Sequence, residues 1–280
     1  MKAKHLLTAL AVLILVLAAF YLGQRTQIAP RKKAHVKKAV EARTAKKKAV
    51  TAPAAAVKRP RAVKVAIVID DFGYNTNNLE AFFDIKEPLT FSILPNLRHS
   101  RDVADSAREH GYEVILHMPM ESQRKDVKEE PGTLKPGDDR KTVEASLAKA
   151  IESVPGLKGV SNHMGSKATE DKELVSEILT YLKKHDLYFF DSLTSDKSVC
   201  REVAATVGIP FAKRDAFLDN SNKVDSIETE LADLEKLALK RGRAIAICHD
   251  RKNTATALAK VMPQMAKDGI RFVYLSDMVK

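Results

Sequence analysis

The chain has 280 residues, 45% of them hydrophobic and 30% charged, with a formal net charge of +11, a length that holds one large α/β domain plus an appendage. The basic excess is confined to the start: residues 1–64 hold 16 of the 47 Lys and Arg and a single acid, Glu41, whereas the remainder holds 31 basic and 35 acidic residues. A mildly acidic folded part argues against a nucleic-acid enzyme, whose basic patch belongs on the folded domain. The two cysteines, Cys200 and Cys248, lack CxxC spacing and exclude a disulfide framework.

Leu6 to Leu22 is apolar throughout and follows Lys2 and Lys4. Its length lies between a signal-peptide core and a full span, and no small-x-small cleavage site stands clearly at its end. Residues 1–23 therefore read as an uncleaved signal anchor, with the membrane held through residues 6–22. The basic residues that follow would stay cytoplasmic by the positive-inside rule, but the short N-terminus and signal-like layout point to export of the folded part to the periplasmic or extracellular side. Residues 24–63 are rich in Ala, Lys, Arg and Pro and nearly free of large apolar side chains. Such a segment cannot bury enough surface to offset ordering entropy, so it reads as a disordered, self-repelling linker. Attraction to anionic lipid or wall polymer is its functional alternative.

From residue 64 onward, eight short apolar runs each end in a polar cluster. VAIVI precedes Asp70-Asp71, TFSIL precedes Pro95-Asn96, YEVIL precedes His117 and GVS precedes Asn162-His163. LYFF precedes Asp191-Ser192, PFA precedes Arg214-Asp215, AIAIC precedes His249-Asp250 and FVYL precedes Ser276-Asp277. Continuous β-branched runs are the mark of buried parallel strands, and chemistry gathers at their C-terminal ends. Helical periods lie between them, at Asn77–Phe83, Ser100–His110, Lys141–Ser153, Asp171–His185, Lys197–Val207, Ile227–Arg241 and Ala255–Asp268, with Ser100 a candidate N-cap and Gly111 a stop. Alternation at about 30 residues per unit gives a parallel sheet with right-handed crossovers. Seven or eight such units fit a sheet curled into a barrel, with a doubly wound open sheet as the second choice. One connection, Glu121 to Arg140, is long and polar with two Pro-Gly turns, and should overhang the face that carries the reactive groups.

Adjacent carboxylates repel, so Asp70-Asp71 needs a cation or a shared proton if both stay charged. Successive residues leave a strand in different directions, which lets one bind metal while its neighbour faces substrate. Two histidines and an aspartate from separate strand ends, here His117, His163 and one of Asp70 and Asp71, would make an open three-ligand site of the catalytic zinc kind, although iron, manganese or cobalt accept the same ligands. His249 titrates near working pH and suits proton donation. Asp191 and Arg214 also end strands and either orient the ligands or cap the following helices. Asp70, His117, His163, Asp191 and His249 should gather at one mouth. The absence of GxGxxG, P-loop, GxSxG and HExxH motifs counts against nucleotide cofactors and a serine nucleophile.

The order IDDFG, EVILHMPME, GVSNHMGS, FFDS, KRDAFLDN, AICHD resembles the divergent polysaccharide deacetylases, relatives of the NodB-type carbohydrate esterases, from about Lys64 to Lys280. The resemblance implies a distorted (β/α) barrel over residues 64–280, a divalent metal, usually zinc, and hydrolysis of acetyl groups on a glycan, with peptidoglycan a candidate. By position it makes Asp70 the base, Asp71 and His117 metal ligands and His249 the general acid. The main NodB pattern has a second metal histidine four residues after the first; here Glu121 stands there, and His163 is brought in to replace it. Asn162, Asp191 and Arg214 are then the residues that touch substrate or orient the ligands, with Asn162 a candidate donor to the oxyanion. The alternatives are a non-catalytic glycan-binding or envelope-organising protein on the same barrel, and a metal-dependent phosphoesterase.

Because residues 24–63 lack core-forming side chains, removing residues 1–60 should release the protein from membranes and leave its melting temperature nearly unchanged. Calorimetry on the two forms checks this; a large drop in melting temperature would show that the segment packs on the domain.

Overall fold

The computed structural model describes residues 62–280, so the expected anchor and nearly all of the expected linker lie outside the described residues. The apolar runs form the strands, and the amphipathic stretches form helices between them. In chain order the elements are β1 (Val63–Phe72), α1 (Leu79–Phe83), β2 (Thr90–Ile93), α2 (Ser100–Glu109), β3 (Glu113–Met120), α3 (Arg140–Ser153), β4 (Gly159–Met164) and α4 (Lys172–Lys184). Then follow β5 (Tyr188–Asp191), α5 (Cys200–Val207), β6 (Phe211–Lys213), β7 (Ala216–Phe217), α6 (Val224–Arg241), β8 (Arg243–His249), α7 (Lys252–Lys267) and β9 (Ile270–Phe272). Every ladder is parallel, in the spatial order β6-β5-β4-β3-β2-β1-β8-β7, with β9 also paired to the start of β1.

This order is that of a barrel, not of a doubly wound sheet, because the chain's first long strand lies between β2 and β8. The sheet does not close by a ladder: β6 and β7 form its two edges. Yet they are separated by only Arg214 and Asp215, whose backbone N–H groups donate to Asp191 O on β5 (3.1 Å) and Ile245 O on β8 (2.8 Å). The result is a curled, incomplete barrel with one open seam.

Two apolar layers follow from the alternation of side chains along each strand. Val65, Ile67 and Ile69 pack outward with the helices, joined by Phe91, Ile93 and Phe189. Ala66 and Val68 pack inward with Ile115, Tyr188, Phe190, Ile245 and Ile247, filling the barrel. Phe72 and Phe91 stack at 4.6 Å between ring centres, with Phe82 edge-on to both, and so anchor the C-terminal end of β1.

Three local expectations are corrected. Ser100 is not the N-cap of α2, which is His99; its buried hydroxyl donates to Leu94 O (2.6 Å) and accepts from Leu97 N (3.0 Å), tying the helix start to the end of β2. The run FVYL is a strand only through Phe272, because Leu275–Asp277 turns into a 3-10 helix beneath the barrel, where Ser276 N donates to the buried Glu113. A short strand, β7, went unforeseen: two residues carry no periodicity.

Gly159 opens β4 against the ring of Tyr188, whose hydroxyl donates to Glu113 (3.0 Å). A Cβ at Gly159 would lie 2.3 Å from that ring. Gly159→Ala should therefore cost about 1–3 kcal/mol by overpacking, read as a lower denaturation midpoint; unchanged stability would mean that the ring moves aside freely.

Candidate metal centre

Alternation decides which strand-end residues meet. On β1 the inward positions are Ala66, Val68 and then Asp70; on β3, Ile115 and then His117; on β8, Ile245, Ile247 and then His249. Ser161 and His163 occupy inward positions on β4, and Ser92 on β2. The register brings them level: His117 pairs with Ser161, Pro119 with His163, and Asp70 with His249.

Asp71 would point outward by the same rule. It does not, because its backbone is left-handed (φ 69°) and the β1–β2 ladder shifts register between Ile69 and Phe72. Aspartate is among the few non-glycine residues that tolerate this region. The irregularity swings the Asp71 carboxylate over the barrel mouth. Its Oδ1 lies 3.4 Å from His117 Nε2 and 3.1 Å from His163 Nδ1, and its Oδ2 lies 3.8 Å from His249 Nε2. Asp71, His117 and His163 offer one donor atom each within 4.8 Å of one another.

The donor set fits a divalent cation. Asp71 Oδ1 is buried and receives no hydrogen bond despite two imidazoles beside it, and a buried acceptor left this way is costly unless something else satisfies it. Burial would raise the Asp71 carboxyl, but His117 and His163 outweigh it and hold the group well below the usual carboxylate range. His117 is itself oriented: its Nδ1 is 2.7 Å from Ser161 Oγ, which is 2.9 Å from Ser92 Oγ. Fixing the far nitrogen of a ligating histidine is the usual way its metal-facing nitrogen is aimed.

Asp70 is enclosed, with 3% of its surface exposed, and its Oδ1 lies 3.6 Å from His117 Nδ1 without a hydrogen bond. Burial raises its pKa, and the neighbouring Asp71 adds to the rise, against the opposing pull of His117. His249 sits across the mouth with its Nδ1 2.9 Å from Asp219 Oδ1. Burial lowers the affinity of His249 for a proton, but Asp219 and Asp71 outweigh this and raise it above the ordinary histidine value.

Asp219 is the functional residue that sequence reasoning missed. It is fully buried, and its Oδ2 accepts from His249 N (2.9 Å) and Thr254 Oγ1 (2.8 Å). The signal was present in KRDAFLDN, a buried-looking aspartate after an apolar pair. It lies in a loop after β7, so no strand pattern pointed to it.

Other candidates are placed differently. Asp191 follows the outward Phe189 in alternation, so its carboxylate leaves the mouth: Oδ1 accepts from Leu193 N (2.8 Å) and Oδ2 from Ser198 Oγ (2.7 Å). Asn162 is likewise turned from the cluster. Its amide donates to Met164 O (2.7 Å) and its oxygen accepts from Ser192 N (2.9 Å), so the expected oxyanion donor is spent on holding the loop behind His163. Arg214 donates to Ser192 O (2.7 Å) and Leu193 O (2.8 Å) and lies over the ring of Phe217, 5.1 Å from the His249 ring centre. Glu121, at the position of the absent second histidine, pairs with Lys167 (2.9 Å) outside the cluster.

The long connection does overhang the site. Leu134 bridges back to the end of β3 through Leu134 N to Pro119 O and Glu121 N to Leu134 O, both 2.9 Å. Farther out, Glu130 accepts a hydrogen bond from Tyr74, which follows the Asp71 turn. Between this loop and His163 lies a cavity of about 260 Å³ that includes Pro119, Val127 and Thr133.

A curled parallel barrel with reactive side chains gathered at the C-terminal ends of its strands defines the class of fold. Residues 67–279 match the family described as divergent polysaccharide deacetylase, and the chain belongs to that family. It is 32% identical over 205 residues to the uncharacterized protein YibQ of Escherichia coli (strain K12), a match spanning 73% of this chain and 64%, just under two thirds, of that protein. It is 34% identical over 205 residues to an uncharacterized protein of Haemophilus influenzae, spanning 73% of each. The crystal structure of an uncharacterized protein from Agrobacterium tumefaciens C58 is similar with a TM-score of 0.74 at 26% identity, covering 78% of this chain and 90% of that one.

Asparagine tolerates the left-handed backbone at position 71, so Asp71→Asn should fold normally yet lose zinc on gel filtration, because a neutral amide replaces an anionic ligand poorly. Asp70→Asn should retain zinc. Elemental analysis of the two variants checks the pair: zinc loss in Asp70→Asn alone would reverse the two assignments.

Proposed function

We propose that the protein is a metal-dependent hydrolase of the cell envelope that removes acetyl groups from a glycan, with its barrel exported and held to the membrane through residues 6–22. The observation that carries the reading is the opposition of two assemblies across one mouth: the Asp71, His117 and His163 donors on one side, and the Asp219-oriented His249 on the other. Membership of the divergent polysaccharide deacetylase family supports a glycan substrate, with peptidoglycan suited to an envelope location.

Asp71, His117 and His163 would hold the cation, with zinc the first candidate. A divalent ion in such a site polarises an acyl carbonyl and acidifies a water molecule. Asp70, enclosed beside His117, would accept a proton from the attacking water; its enclosure and raised pKa make it a stronger base than an exposed carboxylate. His249, protonated through its contact with Asp219, delivers a proton to the departing amine or alcohol from Nε2, the nitrogen that faces Asp71. Arg214 and Asn162 act indirectly, by fixing the 192–194 loop and the turn after His163. Tyr74, half exposed beside the mouth, and the loop through Glu130 offer the surface on which a sugar chain would lie.

Acetate release from N- and O-acetylated glycans by the zinc-loaded protein tests the reading, with phosphorylated model substrates as the competing arm. Asp70→Asn and His249→Ala should each lower turnover by about 10²- to 10⁴-fold. Asp219→Asn should act through pH. The acid form of His249 is active below its pKa, so activity falls as pH rises through that value. Removing Asp219 lowers the pKa and should move the alkaline limb of the pH–rate profile to lower pH. An unmoved limb, or phosphate release without acetate release, would contradict the proposal.

A further inference from the structure

A second concave site lies at the barrel seam, away from the metal mouth. It is a cavity of about 460 Å³ where the edge strand β6, the start of β8, helix α5 and the C-terminal residues meet. Arg243 and His249 mark the two ends of β8, so the cavity and the metal centre are separated by about 20 Å of strand. Five cationic side chains line it, Arg201, Lys213, Arg241, Arg243 and Lys280, against one side-chain carboxylate, Asp215.

That carboxylate is already occupied. Its Oδ1 pairs with Arg241 Nη1 (3.2 Å) and its Oδ2 accepts from Ile245 N (2.9 Å), which pins the β6–β7 step. Arg243 donates to Met278 O (2.8 Å), a neutral acceptor, and Arg201 lies over the ring of Phe211 at 5.8 Å. Among the described residues, the side chains of Arg201, Lys213 and Lys280 form no hydrogen bond or ion pair. Cationic side chains therefore outnumber carboxylate side chains around this cavity, in a folded domain that is acidic overall. Such a concentration is repulsive unless an anion joins it. The floor is apolar, from Ile209, Phe211 and Met278. The volume is that of a small-molecule site.

We infer that the seam cavity is a binding site for a phosphate-bearing small molecule, its anionic groups held by Arg201, Lys213 and Arg243 and its less polar body resting on Phe211. Phosphate is favoured over a single carboxylate because it carries more negative charge for several cations to share. The site is independent of the metal centre and of the hydrolase reading.

Isothermal titration of the full-length protein with inorganic pyrophosphate tests it, with succinate as the carboxylate arm. Saturable one-to-one binding of pyrophosphate is expected, weakened by about tenfold or more in Arg201→Ala/Lys213→Ala and kept in Arg201→Lys/Lys213→Arg, which preserves the charges. Asp71→Asn should bind pyrophosphate as the unmodified protein does. Affinity lost in Asp71→Asn would place the anion at the metal centre. Affinity unchanged in the alanine pair would place it elsewhere, including the basic residues 24–63. Succinate binding as tightly as pyrophosphate would overturn the phosphate assignment. Any of these results, or no binding at all, defeats the inference. A melting curve of the alanine pair confirms that it is folded.

Discussion

The site depends on the backbone of one residue. Asp71 is held left-handed at the end of the longest strand, and without that turn its carboxylate would face the helices. The Phe72–Phe91 stack and the Phe82 ring fix the chain immediately after it, so the aromatic packing resists relaxation of the turn. A constrained backbone at a functional position is stabilised by the core around it. Here it places a carboxylate against two imidazoles and leaves one oxygen buried without a hydrogen bond. A cation would relieve that frustration, and the surrounding hydroxyls are arranged to support it: Ser161 reaches His117 from behind and is itself held by Ser92.

The remaining division of labour follows from the two-residue period of the strands. Asp70, His117, His163 and His249 share inward parity, whereas Asn162 and Asp191 stand one residue out of phase and serve the loops behind the site. The strand ends thus supply two layers of function. Inward residues face the mouth, and outward residues hold the loops that keep the inward ones aimed. Asp219 belongs with the second group in effect, since it touches the mouth only through His249.

Much of this was legible in the residues. Continuous apolar runs ending in Asp, His and Asn marked parallel strands and the end of the barrel that carries the chemistry, because burial on both faces imposes that composition. His117 and His163 stood out at their strand ends, with His163 standing in for the absent second histidine, whereas the choice of Asp71 over Asp70 rested on the family resemblance. Parity was also available in principle: counting back from Asp191 through Phe190 and Phe189 puts it on the helix side, given which of the two phenylalanines fills the barrel. That last fact is tertiary, and local sequence does not contain it. The left-handed turn at Asp71 and the reach of Asp219 across from its loop are tertiary as well, set by packing among segments far apart in the chain.

The central claim is that Asp71, His117 and His163 form a metal centre. Anomalous diffraction at the zinc edge, from crystals grown with equimolar zinc, tests it most directly. The account predicts one strong peak bonded to Asp71, His117 Nε2 and His163 Nδ1 at about 2.0–2.2 Å, the distances of zinc to carboxylate oxygen and imidazole nitrogen. An empty cluster in zinc-replete crystals, or a peak bound elsewhere while these three side chains keep their positions, would contradict it.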